Sequence, residues 1–499
     1  MTDVLIAGAG PTGLMLAGDL AAAGVSVKIL ERRAEESNLT RAFALHARTL
    51  ELLDMRGIAG ELVAQGLQLP EVRVHLGHGE VAFDLRHPDS RFPYVLIIRQ
   101  ARTEALLEQR ARQLGVQIAR GTEVTGLRQD AHGVALTVNG GRDERAAYAV
   151  GCDGAHSAVR RLLGVQFTGR TYQTHILLAD ARFGRELPLA VNPFVGRDGV
   201  VLLPPYGDGW YRATIWDRSR QHVPLEEPVG IEEVRASVRR IAGDDLGLAE
   251  MRWSMRFLSE RRQADRYRVG RVFLAGDAAH VHSPLGAMGM STGIQDAANL
   301  SWKLAAAVQG WAPSWLLDTY HTERHRAGLT TLHFTDLLMR LAVAPAPVRL
   351  LRSLLAPAIM NRRPVSEAMR CRLSGLGLAY EVPTGTVGSP SAGTRVPDLP
   401  LTVDGSTTRL FELLRAGRFV LVDAAGAAVA AAAAWNGRVE PVKAEGTLVG
   451  RATALLVRPD GYLAWSGNHP TGDQVRAVLT QWCGAANLPA RPDPADAIG

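Results

Sequence analysis

Apolar and polar positions along the first 31 residues follow a strand–helix–strand rhythm. Val4-Leu5-Ile6-Ala7 is a continuous apolar run of strand length, and a glycine-rich stretch follows it. Residues 14–23 space their apolar side chains as a helix does, Gly24 ends that helix, and Val25-Ser26-Val27-Lys28-Ile29-Leu30 makes a second strand. A run buried on both faces, then a helix, then another such run is the βαβ unit of a parallel sheet. Further helices are predicted over residues 48–55 and 103–114.

The texture changes from about residue 70 to 98 and again from 166 to 267. Segments such as Val72-Arg-Val-His-Leu76 and Tyr211-Arg-Ala-Thr-Ile-Trp216 alternate with period two, joined by turns such as Tyr206-Gly-Asp-Gly209. That pattern predicts an antiparallel sheet with one covered face. The βα texture returns at Arg271-Val-Phe-Leu-Ala-Gly276, and long helical stretches follow over 293–309 and through the 320s to 370s. A Pro/Gly/Ser-rich stretch, 383–397, reads as a linker. Beyond it, Phe419-Val-Leu-Val422, Ala454-Leu-Leu-Val457 and the turn Pro459-Asp-Gly461 suit a separate small domain of roughly 100 residues.

At 499 residues the chain exceeds one compact core, and 46% hydrophobic with 21% charged residues excludes a disordered or fibrous class. The net charge of +6 is spread without a basic block, so no nucleic-acid partner is expected. Cys152, Cys371 and Cys483 lie too far apart for a disulfide framework or a zinc site, and no other grouping has metal-ligand spacing. The N-terminus has no basic region ahead of its first strand, and the Ala-rich run 424–435 is too short to cross a bilayer. A cytoplasmic protein without membrane or metal partners is the expectation.

Three constellations carry chemistry. Gly8-Ala9-Gly10-Pro11-Thr12-Gly13 sits between strand and helix, with Glu31 ending the next strand and Arg32 beside it. Gly8 permits the tight turn, Gly10 lets backbone touch a pyrophosphate, and Gly13 lets the helix pack on the strand. The helix start offers free N–H groups to phosphate, and the carboxylate accepts ribose hydroxyls. The second is Gly276-Asp277 ending a strand, followed by Ala278-Ala279-His280 and a predicted helix. Asp277 can hold a ribitol hydroxyl there, and a second diphosphate-and-polyol corner so far downstream favours FAD over a nicotinamide. The third, Asp153-Gly154 with Ser157 and Arg160, is a turn opening a helix.

Together these resemble the single-component FAD-dependent aromatic hydroxylases, the class A flavoprotein monooxygenases, from the N-terminus to about residue 330. The resemblance implies that the Gly8–Gly13 segment and Glu31 bind the ADP half of FAD, and that Gly276-Asp277 binds the ribityl and pyrophosphate. It further implies that Asp153-Gly154 serves FAD and NAD(P)H, and that Arg41 and Gln100 make the family's two flavin-tail contacts. The tail, with Gly393-Thr-Arg-Val-Pro-Asp398 and Leu456-Val-Arg-Pro-Asp-Gly-Tyr462, is similar to the thioredoxin-like C-terminal domain of phenol and aromatic-polyketide hydroxylases. It has no Cys-x-x-Cys, so its implied role is structural. Relatives commonly carry Gly-Gly-Gln-Gly-Met-Asn where this chain has Gly286-Ala287-Met288-Gly289-Met290-Ser291. Backbone at Pro284, Gly289, Met290 and Ser291 is implied to face the flavin ring.

The implied architecture is α/β. A Rossmann-like FAD-binding domain spans 1–70, 99–165 and 268–385, with a helical extension over 320–385. An antiparallel substrate domain spans 71–98 and 166–267, and a thioredoxin-like domain spans 393–485. The implied activity is hydroxylation of a multicyclic aromatic by NADPH (or NADH) and O₂ through a flavin C4a-hydroperoxide, in a monomer or homodimer. Baeyer–Villiger oxygen insertion and a non-catalytic flavoprotein that sequesters an aromatic compound are the alternatives. No side chain identifies itself as a base: His46, His75, His280 and His282 are candidates by type. Tyr206, Tyr211, Trp216, Trp253 and Met255, with Phe257, are expected to wall a flat pocket. Lys303, on a helix expected to pack or face solvent, gives little support to a halogenase.

Overall fold

A computed structural model describes residues 2–35, 42–76, 79–345, 348, 351, 355, 358–359, 362–383, 389, 391–444 and 452–486. Its first layer is a six-stranded sheet in the order Arg268–Val269, Val272–Leu274, Tyr148–Gly151, Val4–Ala7, Val27–Glu31, Gln117–Arg120. Every pair from Val272–Leu274 to Gln117–Arg120 is parallel. The central strand is 0–2% exposed throughout, which is why it reads as an unbroken apolar run. The helices Pro11–Ala22 and Gly289–Val308 pack on each other against this sheet.

The second layer is an eight-stranded sheet ordered His280–Val281, Leu248–Ala264, Phe167–Phe183, Trp210–Asp217, Gly199–Leu202, Pro193–Val195, Glu71–Leu76, Gly79–Asp84. Its two longest strands, 17 residues each, run antiparallel with register shifts at Thr171/His175. One face is covered by the helix Ile231–Ala242 through Val234, Val238 and Ile241. The other carries Ile176, Leu178, Val200 and Trp216 against Met339 and Ala342 of the long helix Asp318–Ala342.

The C-terminal part is a four-stranded sheet, ordered Val439–Lys443, Phe419–Asp423, Ala454–Val457, Leu463–Gly467, with the first pair parallel and the rest antiparallel. The helix Gly472–Cys483 starts on a Thr471/Gln474 capping box and packs on this sheet. The expected linker is in part something else. Where it is described, Gly393 and Val396 donate backbone hydrogen bonds to Leu463 and Gly461, which stitches it to the last hairpin. Proline and glycine punctuate a chain that crosses a strand edge as readily as one that spans domains. Among the described residues no helix is long and apolar enough to cross a membrane, and no group of three or more His, Cys, Asp or Glu is arranged to hold a metal.

Candidate functional site

The parallel strands end side by side, with Ala7 in register with both Gly151 and Leu30, and Gly151 with Leu274. The turns leaving those ends therefore meet at the carboxyl edge of the sheet, the place where open α/β sheets take ligands. Gly8, at φ +105°, lies so close to the third constellation that a Cβ on it would sit 2.4 Å from the Cys152 carbonyl oxygen. A Cβ on Gly13 would sit 2.1 Å from the Gly8 carbonyl oxygen. Thr12 is wedged between Gly276 and Gly293, whose Cβ positions would fall 2.6 and 2.3 Å from its Oγ1. Side chains cannot occupy these positions, so the three distant segments form one continuous backbone surface. Nothing crowds the side-chain direction of Gly10.

Electrostatics suit an anion at that surface. The Pro11–Ala22 helix starts without a side-chain cap and without an acidic residue in its first turn, leaving its positive end open. Glu31 accepts the Ala9 N–H at 2.7 Å and the Arg33 N–H at 2.9 Å. Burial alone would raise its pKa, but these donors and the Arg33 guanidinium hold the carboxyl below its usual range. Arg33 rather than Arg32 closes on Glu31, and Arg32 is exposed. Asp153 accepts from the Ser157 hydroxyl and from the Ala158 and Val159 N–H groups, so its carboxylate caps the helix Ala158–Leu162. Gly154, at φ +82°, shapes that turn. Arg160 donates to the Ala278 carbonyl at 2.8 Å and the Ala155 carbonyl at 2.7 Å, tying the second corner to the third. Asp277 is exposed at its turn. That turn leads through a short 3-10 segment and the strand His280–Val281, and the expected helix begins only at Gly289.

The loop from Pro284 enters this Gly289–Val308 helix at Met288, and its first turn holds neither a side-chain cap nor an acid. The amides of Gly289, Met290 and Ser291 thus form a second open positive end. His46 Nε2 donates to the Gly286 carbonyl at 2.9 Å, and burial pulls its pKa down, leaving a neutral imidazole against this loop. His282 lies beside Gly289, and burial holds it neutral as well. His75 stacks on Phe194, and His280 pairs with Asp296. The Gln100 side-chain Oε1 accepts the Ala42 N–H at 2.9 Å; Arg41 itself lies outside the described residues.

Five of the six expected pocket residues lie on the side of the large sheet that faces the loop from Pro284. Trp216, Trp253, Met255 and Phe257 cluster with Leu285 of that loop, and Tyr206 and Ala287 pack against one apolar cluster built around Phe43, Leu69 and Phe83. Tyr211 does not join them: it packs edge-on against Phe183 on the face covered by the Ile231–Ala242 helix. Strand side chains alternate, and Tyr211 is out of phase with Trp216 on the same strand. Tyr206 borders a cavity of about 260 Å³ with Gln65, Arg99 and Asp208, and burial raises its phenol pKa. A larger cavity of about 750 Å³ opens between the Asp318–Ala342 and Arg363–Ser374 helices, with His46, Met288 and Ser291 at one end. None of the six lines it.

A buried charge cluster behind the site was not anticipated. Lys303 is fully buried, with Nζ 2.8 Å from Glu323. Its sequence signal was polar residues Asp296, Asn299 and Lys303 recurring at helical spacing in an otherwise apolar helix.

A family profile described as "FAD binding domain" matches residues 1–335, and one described as "Aromatic-ring hydroxylase, C-terminal" matches residues 389–486. The chain is 41% identical to a 12-dehydrotetracycline 5-monooxygenase/anhydrotetracycline 6-monooxygenase of Streptomyces rimosus, over 97% of this chain and 99% of that protein. It is 38% identical to a dialkyldecalin synthase of Streptomyces rugosporus, over 97% of this chain and 100% of that one. A solved anhydrotetracycline hydroxylase from Streptomyces rimosus overlays with a TM-score of 0.84 at 40% identity, covering 97% of this chain and 99% of that one.

Proposed function

The chain belongs to the FAD-binding aromatic-ring hydroxylases, and on that premise we propose that it is an FAD-dependent monooxygenase that hydroxylates a polycyclic aromatic of polyketide or antibiotic type, with NAD(P)H as reductant and O₂ as oxidant. The observation that carries this reading is the nesting of Thr12 between Gly276 and Gly293 while Gly8 lies on Cys152, beside two uncapped helix starts. Such a surface suits one extended dinucleotide with a phosphate at one helix start and an electron-accepting ring at the other. When bound, FAD would supply the redox chemistry that activates O₂, with NAD(P)H as the proposed electron source.

The chain's own groups have distinct tasks. Gly10 and the first amides of the Pro11–Ala22 helix take the pyrophosphate. Glu31, already fixed by Ala9, takes the ribose, and Asp277 takes a ribityl hydroxyl. The amides of Gly289, Met290 and Ser291 stabilise negative charge on the ring, a preorganised electrostatic role of the oxyanion-hole kind. His46 fixes the Gly286 carbonyl and so the path of that loop. Trp216, Trp253 and Met255 keep water from the reacting face, where a wet site would waste the activated oxygen. A phenolic substrate gives up its proton most readily where a developing phenolate is stabilised; the neutral imidazole of His46 adds no positive charge there.

The test is direct. Purified protein is expected to be yellow, to oxidise NADPH faster when anhydrotetracycline or a similar polycyclic phenol is added, and to place one atom of ¹⁸O₂ in the product. A colourless protein that takes up no FAD would overturn the reading. The relationship to the dialkyldecalin synthase favours a second reading, formation of a fused ring in place of hydroxylation. A product made from substrate with no NAD(P)H consumed would select it.

A further inference from the structure

The face of the Gly289–Val308 helix turned toward the Asp318–Ala342 helix carries Asp296, Asn299 and Lys303, all at most 1% exposed. Opposite them stand Glu323 and Arg324. Consecutive residues on a helix point about 100° apart, and these two grip different partners.

Arg324 Nε donates to Asp296 Oδ1 at 2.7 Å. The other carboxylate oxygen, Oδ2, accepts the Gly276 N–H at 3.0 Å and lies 2.6 Å from His280 Nε2. Asp296 thus fastens the backbone of the turn that presents Asp277. Burial opposes its ionisation, but His280 and Arg324 outweigh burial and hold the carboxyl below its usual range.

Glu323 faces the C-terminal domain. It accepts from Arg458 Nη1 and Nη2 at 2.8 and 2.9 Å, from Asn299 Nδ2 at 2.7 Å and from Lys303 Nζ at 2.8 Å. Arg458 begins a turn closed by its N–H to the Tyr462 carbonyl, with Gly461 at φ +75°. Asp460 in that turn takes Arg458 Nη2 at 2.6 Å, and its carbonyl takes Arg48 Nη2 at 2.6 Å. A second link runs through rings: Tyr462 lies 4.3 Å from Tyr380, whose hydroxyl takes Arg324 Nη1 at 3.0 Å. Hydrogen bonds therefore run from the C-terminal turn to the Gly276 amide, interrupted only by the one-residue step along the Asp318–Ala342 helix.

Desolvating these ions is costly, and apolar residues of similar volume often replace a buried pair without loss. Helix packing alone does not require them. We propose that the Arg458–Tyr462 turn of the C-terminal domain is a positioning element for the Gly276–Asp277 turn, acting through Glu323, Arg324 and Asp296, and that it sets how tightly the chain holds FAD. The proposal rests on the FAD reading above. Losing Arg458 leaves Glu323 buried with lysine and amide partners only. The helix must then shift to satisfy it, and Arg324 loses its alignment on Asp296.

The test is FAD binding by the full-length chain, read by quenching of flavin fluorescence as apoprotein is refilled. R458M and D296N are each expected to weaken FAD at least tenfold while circular dichroism stays native. The double variant is expected to be no weaker than the worse single one, because both act on one element. Arg438→Met, in the same domain but bonded to Cys483 and Ala485 instead, is expected to stay within twofold. If R458M does not fold, the near-isosteric E323Q is read in its place. Hydrogen exchange on unaltered protein is a second measure: FAD is expected to protect residues 458–462 as well as 276–279, since coupling between sites is reciprocal. Unchanged affinity in a folded R458M or E323Q, multiplying effects in the double variant, or protection confined to 276–279 would each overturn the proposal. Unaltered apoprotein that binds no FAD would instead overturn the FAD reading.

Discussion

Thr12 and Gly293 meet so closely that a Cβ on the glycine would lie 2.3 Å from the threonine Oγ1. The contact joins the first glycine turn to the helix that begins beside the candidate flavin loop. Gly293→Ala must push the two apart. Overpacking of this kind destabilises by about 1–3 kcal/mol, and because the displaced turn is the proposed pyrophosphate site, FAD content is expected to fall with it. Thr12→Ala removes the hydroxyl, and the remaining Cβ would lie 3.6 Å away. The Gly276 Cα, 3.2 Å from that Cβ position, stays in place, so the Thr12→Ala/Gly293→Ala pair is expected to recover stability and flavin together but only in part. Thermal unfolding and bound-flavin absorbance of the single and double variants check this.

Ala287 adopts φ +52° in the loop before the Gly289–Val308 helix, with Gly286 preceding it at φ +91°. A left-handed alanine is disfavoured by roughly 1–2 kcal/mol. Ala287→Gly relieves that strain but gives the unfolded chain more freedom, which takes back about 0.5–1 kcal/mol. A net gain of about 0.5 kcal/mol is expected in denaturant unfolding. A loss would mean that the alanine methyl, packed against an apolar cluster that holds Phe43 and Leu69, matters more than the backbone strain.

The three corners were legible because a tight turn or close approach leaves its mark in residue type: only glycine fits at Gly8, Gly13 or Gly276. What the pattern could not give was distance. Glu31 reads as a ribose acceptor, but its hold on Ala9 exists only because neighbouring strands end together. Tyr211 shows a signal present but misread. It lies five positions from Trp216 in one strand, and an odd separation puts two residues on opposite faces. Lys303 reads as one cation among helical residues, because beyond Asn299 on its own helix its partner Glu323 and the nearby Arg458 come from two other elements that only the folded chain brings to it.

That burial has a consequence for pH dependence. Burial draws the Lys303 ammonium down to about 8, against the pull of Glu323, whereas an unfolded lysine titrates near 10.5. The folded chain thus releases this proton first as pH rises. The destabilisation is fully present below about pH 8 and is relieved as pH climbs toward 10.5. Lys303→Met has no such titration. The melting temperature of the unaltered protein, measured relative to that variant, is expected to rise between pH 7.5 and 10 (a range set by that shift). A difference that is flat or moves the other way would show that Lys303 keeps its proton throughout.

The alternation of the sheet also separates substrate binding from stability. Trp253 stands with Met255 and Leu285 on the side facing the proposed flavin loop, while Tyr211 packs beneath the Ile231–Ala242 helix. If a flat aromatic is held on the loop side, Trp253→Ala removes a stacking surface without touching the dinucleotide turns. The KM for a polycyclic phenol that stimulates NADPH oxidation is then expected to rise about tenfold, the effect of roughly 1.4 kcal/mol of lost contact, with FAD content unchanged. Tyr211→Leu keeps an apolar side chain but loses the edge-on contact with Phe183, worth about 0.5–1.5 kcal/mol. It is expected to lower the melting temperature and leave KM within twofold. Equal KM effects from the two substitutions would place the substrate elsewhere, with the 750 Å³ cavity between the Asp318–Ala342 and Arg363–Ser374 helices as the next surface to probe.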